Sequence, residues 1–310
     1  MSRWSILITL AVLACVPLLT SANTVLNFLV GALIIALAGQ GWNILGGLGG
    51  QPSFGHAAFY GTGAYVTALL QHRYGINAWV GAGAGILSGA AVGVAIGALV
   101  FRAGLRGSYF ALVTLAFAEV LRILANAAEF TGGAAGLLVR LDQRAANFQF
   151  TNRTVFFYVV LVCVAVVLLL TWWISRSRFG AQLAAVRENE EAARALGIDT
   201  FTVKLRAMAL SASVAAAAGV LYLQYYLYID SGLVYGTGIS VAALLAPVVG
   251  GVGTVLGPVL GAIALEALGE GTRLIAGPIA GIDQVLFGLL LVAAIAFLPG
   301  GLAGSRKVAR

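Results

Sequence analysis

The sequence predicts an all-α fold that crosses a bilayer many times, and three observations predict it. Of 310 residues, 61% are hydrophobic and only 9% are charged, where an ordinary soluble domain carries about 25% charged residues. The apolar residues are gathered into uncharged runs of the roughly 20-residue length that a helix needs to cross about 30 Å of hydrocarbon. Those runs do not alternate with a period of two, so of the two ways to satisfy backbone groups in lipid, helices and a closed barrel, helices remain.

The first run, 5–21, follows Arg3 and ends at Ser21-Ala22, a pattern shared with secretory signals, and Leu13-Ala14-Cys15 resembles a lipoprotein cleavage site. A polytopic membrane protein has no need of a removable leader, so this run is expected to stay as a first helix. Runs at 24–46, 54–72, 78–101, 107–128, 154–175 and 206–228 follow. The region 238–270 is interrupted by Gly250-Gly251-Val252-Gly253 and Pro258, which predicts two shorter helical pieces, one entering the membrane and one leaving it. With a last run at 280–299, about ten membrane segments are expected. In the fourth run Gly81, Gly85, Gly89, Gly93 and Gly97 recur every four residues, baring one helix face. Close packing of another helix is the expected use of that stripe, and a ligand path is the rival reading.

The formal net charge of +7 could suggest nucleic acid, but the basic residues lie in short loops between apolar runs, so no nucleic-acid partner is expected. Twelve of the 18 (Arg3, Arg102, Arg106, six in 176–206, Arg306, Lys307 and Arg310) fall on one side. Arg73, Arg140, Arg144, Arg153 and Arg273 fall on the other, and Arg122 lies within a run. The positive-inside bias then places both termini and 176–206 in the cytoplasm. Cys15 and Cys163 sit in apolar runs and are expected to be small buried hydrophobes.

Catalytic chemistry is missing. Neither Lys204 nor Lys307 is set in the G-x-x-x-x-G-K-[ST] pattern that cradles nucleotide phosphates. His56 and His72 have no cysteine or carboxylate cluster beside them, so no metal site, hydrolytic triad or cofactor is expected. The glycines of 46–50 lack the strand context of a dinucleotide site and are expected to form a bend.

The one long charged segment is 176–206. Gln182 to Leu196 reads as an amphipathic helix, with Leu183, Val186, Ala193 and Leu196 near one face. Glu190 can pair with Arg194, and Arg187 with Glu191, at i,i+4, and Gly197 stands where a helix C-cap favours glycine. Such a helix can lie on lipid or dock in a partner's groove, and its mixed charge favours the partner. Glu191-Ala192-Ala193-Arg194-Ala195-Leu196-Gly197 matches the E-A-A-x-x-x-G motif of bacterial ABC importer permeases. Ser177-Arg178-Phe179-Gly180, Val186-Arg187-Glu188-Asn189-Glu190, Pro52-Ser53-Phe54-Gly55-His56-Ala57-Ala58-Phe59, Gly61-Thr62-Gly63-Ala64-Tyr65, the stretch from Tyr109 to Glu119 and the stretch from Gly250 to Pro258 extend the match. In order and spacing the chain resembles the branched-chain amino acid permeases of the LivM type over nearly its whole length. It departs from their usual pattern at Thr131–Gly136 and at Ala246-Pro247.

The resemblance implies a single transmembrane permease domain over 1–310, with a cytoplasmic coupling loop at 176–206, in a bacterial inner membrane. Glu190, Glu191, Ala192, Ala193 and Gly197 would contact ATPase subunits that hydrolyse ATP, the chain itself being no enzyme. A second permease, forming a heterodimer, and an extracytoplasmic substrate-binding protein would complete the importer. Leucine, isoleucine and valine are the implied substrates; similar permeases serve urea, short amides or aromatic acids. Candidates for the path are His56, Tyr60, Tyr65, Thr114 and Glu119, each with a plainer role beside it. Glu119 and Arg122 could form an internal pair that locks two helices, His56 could satisfy a backbone carbonyl, and Tyr60, Tyr65 and Thr114 could be packing. Tyr222, Tyr225, Tyr226 and Tyr228 are expected in an interfacial aromatic belt. A passive channel would use the same helices and leave 176–206 without a purpose. An intramembrane enzyme would need Glu119 and His56 to meet as acid and base.

Overall fold

A computed structural model describes residues 3–19, 22–142, 144–276 and 300–303, together with positions 282, 285, 288, 289 and 292. The helices are α1 (Arg3–Leu19), α2 (Asn23–Trp42), α3 (His56–Tyr74), α4 (Ala78–Arg102), α5 (Gly107–Ala127), α6 (Arg153–Ile174), α7 (Arg178–Glu188), α8 (Glu190–Ala195), α9 (Thr200–Tyr226), α10 (Ser231–Val234), α11 (Thr237–Gly250) and α12 (Gly257–Ala276). A two-residue antiparallel ribbon pairs β1 (Leu137–Leu138) with β2 (Tyr228–Ile229), Leu137 opposite Ile229. Apart from its isolated positions, the expected run at 280–299 lies outside the described residues.

Among the described residues, six stretches are long and apolar enough to cross a membrane: Asn23–Leu48, Ala78–Arg102, Gly107–Ala127, Arg153–Ile174, Thr200–Tyr226 and Ser231–Gly250. The chain is therefore an all-α, multi-pass membrane protein. Of the other four runs read from the sequence, 280–299 lies outside the described residues, and three fall short for physical reasons. The 17 residues of α1 are short for a crossing. α3 is diluted by His, Gly, Thr and Tyr, but every residue from His56 to Tyr65 is buried, and a helix enclosed by other helices needs no lipophilic surface. α12 carries Glu266, Glu270 and Arg273.

α9 runs through the centre, packed on α2, α3 and α4. The glycine stripe of α4 makes that closeness possible. A Cβ at Gly89 would lie 2.3 Å from the Cβ of Ala216, one at Gly93 2.4 Å from that of Ala212, and one at Gly97 3.0 Å from Cγ of Met208. Met208, Ala212 and Ala216 are themselves four apart, so one face of α9 follows the glycine stripe of α4 and helix packing fills the stripe. α9 begins at Thr200, ahead of the expected 206, because the Asp199 side chain caps it by accepting from Thr202 N at 3.1 Å.

The interruption of 238–270 is real: α11 stops at Gly250, α12 starts at Gly257, and 251–256 forms an elbow. α2 holds the elbow in place. Gln40 Nε2 donates to Val255 O at 2.7 Å, Asn43 Nδ2 donates to Thr254 O at 2.9 Å, and Asn43 Oδ1 accepts from Gly253 N at 2.7 Å. Asn43 also opens a π-helical turn, Asn43–Leu48, that continues α2. Only glycine fits at 47, where a Cβ would sit 2.2 Å from Asn43 Oδ1.

The charged segments gather at opposite ends of the bundle. At one end Arg187 of α7 donates to Gly47 O at 3.2 Å, and Arg106 of the α4–α5 turn pairs with Glu190. At the other, Trp79 Nε1 donates to Ala145 O at 2.9 Å and Asn77 Nδ2 to Ala146 O at 2.8 Å, tying the 128–152 segment to the start of α4. Cys15 departs from expectation: it is exposed on α1, while Cys163 is half-buried.

Candidate functional site

The segment expected to be one helix from Gln182 to Leu196 is two helices meeting at Asn189, whose extended backbone (φ −158°, ψ 106°) breaks the path. The break is stabilised locally, because Asn189 Oδ1 accepts from the backbone N–H groups of both Glu191 and Ala192 at 3.0 Å and so caps α8. Leu183, Val186 and Ala193 are buried beneath the pair of helices. At the far end Gly197 has φ +82°. Its N–H bonds Arg194 O at 3.0 Å and Ile198 N–H bonds Ala193 O at 3.1 Å, a Schellman closure that requires the left-handed residue.

Glu190 anchors this unit. Its carboxylate takes Lys204 Nζ at 2.8 Å, Arg194 Nη2 at 3.1 Å and Arg106 Nε at 3.3 Å. The Lys204 side chain is only 5% exposed, so the pair carries α8 onto the beginning of α9. Burial works against the charge on Glu190, but the hydrogen bond and charge of Lys204, with Arg106 and Thr200, outweigh it and hold the carboxyl below its ordinary value. Glu191 is different: it is 80% exposed, at 3.6 Å from Arg106. The expected Arg187–Glu191 pair is not formed, because the break turns Arg187 toward Gly47 O and to Glu188 at 2.9 Å.

The five path candidates do not converge on one site. His56 is 1% exposed, with Nε2 2.8 Å from Ser211 Oγ, and Ser211 Oγ donates to Gly41 O at 2.6 Å. Since that serine's one proton is spent on the carbonyl, His56 Nε2 is the donor, and its Nδ1 is left without a partner. Thr114 Oγ1 accepts from Phe54 N at 3.2 Å and donates to Ala111 O at 2.8 Å, fastening the segment before α3 to α5. Tyr65 stacks on Tyr235 with ring centroids 5.5 Å apart. Tyr60 is fully buried, its hydroxyl lacks a partner, and its ring lies 5.9 Å from that of Tyr222.

Glu119 does pair with Arg122, at 2.5–3.0 Å, but the pair closes within α5 and locks no second helix. Both side chains are more than a third exposed, on the outer face of that helix. His56 and Glu119 are thus engaged elsewhere and form no acid–base couple. Among the described residues no group of three or more His, Cys, Asp or Glu side chains could hold a metal.

Two sets of residues escaped the sequence reading. Glu266 lies in mid-α12 and lines a chamber with Tyr60, Tyr222 and Tyr226, so Tyr222 and Tyr226 of the expected belt also border this space. An acid inside an apolar stretch is the signal the sequence carries for Glu266. Gln40 and Asn43 are polar groups three apart in an otherwise apolar run, and their fully buried side chains grip the elbow.

A bundle of apolar helices around α9, with a structured charged loop mounted at one end, defines a multi-pass helical membrane protein of the transport kind. The chain belongs to the family described as the permease component of the branched-chain amino acid transport system, which matches residues 24–295. It is 33% identical over 285 residues to the high-affinity branched-chain amino acid transport system permease protein LivM of Escherichia coli (strain K12), covering 84% of this chain and 66% of that relative. It is likewise 33% identical over 258 residues to LivM of Salmonella typhimurium, covering 75% and 60%. Autoinducer 2 import system permease protein LsrC of Photorhabdus luminescens is 29% identical over 137 residues, 42% of this chain. The chain spans about two-thirds or less of the length of these LivM relatives. No solved structure matches it.

Proposed function

We propose that the chain is a permease subunit of an ATP-driven importer for branched-chain amino acids, inserted in a bacterial inner membrane with about ten segments and both termini in the cytoplasm. It works with ATPase subunits, a second permease as heterodimer partner, and an extracytoplasmic binding protein. Residues 176–206 are the coupling loop. The observation that carries this reading is the division of labour between adjacent acids: Glu190 is consumed by an internal mount, while Glu191, in the motif Glu191 to Gly197, is 80% exposed, as is Leu196 at the other end of the same short helix. A rigidly held helix presenting an exposed acid and an exposed leucine suits docking in a partner's groove better than lying on lipid. The substrate assignment is supported by the LivM relatives, and a second permease is supported by the Glu119–Arg122 pair, whose outward exposure at bilayer depth requires cover by protein or water.

The test uses Gly197→Pro and Glu191→Arg. Proline cannot adopt φ +82° and removes the N–H that closes on Arg194 O, so the end of α8 unravels. Arginine at 191 reverses a charge beside Arg106 and at the exposed surface. Both variants are expected to insert at wild-type levels, to lose most co-purifying ATPase subunit, and to abolish leucine-stimulated ATP hydrolysis and leucine uptake. Full subunit binding and stimulation in both would remove 176–206 from the coupling role.

A further inference from the structure

Glu266 is a carboxylate within the bundle that none of the roles above uses. No hydrogen bond or ion pair to it is formed among the described residues; Arg273, two turns along α12, is engaged with Glu270 at 3.6 Å. It stands over Gly31 of α2, where a Cβ would lie 3.5 Å from its Oε1. Glu266 is half-buried in the middle of a helix, and an ionisable group so placed in a membrane bundle marks a ligand or ion site. The space beside it is built for a ligand. Glu266 and Ile35 border both a half-open chamber of about 130 Å³, lined also by Tyr60, Tyr222 and Tyr226, and a half-open cavity of about 420 Å³ between α2, α11 and α12, where Thr272 and Arg273 join the lining. Tyr60 supplies an independent observation: it is fully buried, lines the chamber, and its hydroxyl has no hydrogen-bond partner among the described residues.

The chemistry of the lining selects the ligand. A carboxylate calls for a cation, and three tyrosine rings, with Tyr222 and Tyr226 centroids 4.6 Å apart, favour a cation that can meet aromatic faces. A chamber of about 130 Å³ is too roomy for a bare ion, and Ile34, Ile35 and Ile239 offer an apolar wall. We infer that the cavity around Glu266 and Tyr60 is a binding site for a primary ammonium group carried on an aliphatic arm. Glu266 accepts from the ammonium, Tyr60 Oη accepts a second of its protons, and the isoleucines cover the arm. Two sources share this chemistry, a free amino acid and the ethanolamine headgroup of a phospholipid. That the site lies on the transport path rests on the importer reading; the binding itself does not.

The test is binding, followed as the thermal midpoint of the full-length chain in nanodiscs of amine-free phosphatidylglycerol. L-Leucinamide supplies the ammonium and the arm, 4-methylpentanoate the arm without the ammonium, and phosphatidylethanolamine the lipid headgroup. At least one of the two amines is expected to raise the midpoint saturably, and 4-methylpentanoate is not. Glu266→Gln should weaken the apparent affinity about 10- to 100-fold, and Tyr60→Phe roughly threefold to tenfold. Among the described residues neither side chain has a hydrogen-bond partner to lose, and phenylalanine keeps the ring at 60, so both variants should fold. A response to leucinamide in phosphatidylglycerol identifies a soluble amine as the ligand, and a response to phosphatidylethanolamine alone identifies the headgroup. If neither amine moves the wild-type midpoint, if 4-methylpentanoate acts equally, or if Glu266→Gln binds as well as the wild type, the site is disproved. Leucine uptake decides the importer reading separately.

Discussion

Glu190 and Glu191 are neighbours with opposite fates, and the difference lies in what surrounds each. Glu190 meets a lysine that is 5% exposed, so its loss leaves a nearly buried ammonium short of its nearest carboxylate oxygen, at 2.8 Å. Glu190→Gln is therefore expected to destabilise the α7–α8 mount by roughly 2–3 kcal/mol at neutral pH. The pH dependence follows from the lowered carboxyl. A group whose folded value lies below its unfolded one stabilises fully above the ordinary value of 4.5 and loses that contribution as the pH falls through the folded value. Hydrogen exchange across 178–206 should show wild type better protected than Glu190→Gln above pH 4.5, with the gap closing below it. A constant gap down to strongly acidic pH would contradict the assignment. The Glu190–Arg194 pair was legible in the sequence because i,i+4 spacing is local. Lys204 and Arg106 were not, since they come from α9 and the α4–α5 turn. The false Arg187–Glu191 pair fails for one local reason, the Asn189 cap, which makes two helices where periodicity reads one.

At the scale of whole elements, the α4–α9 contact is decided by what is missing from α4. Gly89→Val should force the helices apart at a site where even the first side-chain carbon lies 2.3 Å from Ala216 Cβ, at a cost of about 1–3 kcal/mol. Gly83, on the same helix but exposed with nothing within 4 Å of its notional Cβ, gives the contrast. Gly83→Ala should be neutral or stabilising by up to about 1 kcal/mol, since alanine is the better helix former. Resistance to detergent-induced unfolding of the purified chain would measure both, and equal responses would refute the packing account. This stripe could be read from sequence because a four-residue repeat is a geometric statement about one helix face. The depth at which α3 is enclosed could not, because its low hydropathy resembles that of a surface helix and only its neighbours explain it.

Across the whole molecule, the 176–199 loop and the 128–152 segment occupy opposite ends. With the importer orientation, a membrane-impermeant maleimide added to intact cells should label a cysteine at Arg144, 76% exposed, and spare one at Glu188, 74% exposed. The reverse pattern would invert the topology. Within that frame Arg187 has a mechanical consequence. Its guanidinium donates to Gly47 O at 3.2 Å, its stem lies where a Cβ on Gly50 would collide at 2.4 Å, and its Nη1 would be 3.8 Å from a Cβ on Gly253. One side chain thus bears on the π-helical turn, the segment leading into α3 and the elbow between α11 and α12. These are the joints of the bundle, where the regular helical ladder is already broken and rotation about the backbone is cheapest. On the importer reading proposed above, a load applied to α8 would reach Arg187 of α7 across the Asn189 junction and bear on all three joints together, gearing the loop to the hinges of the bundle rather than to the stiff middles of its helices.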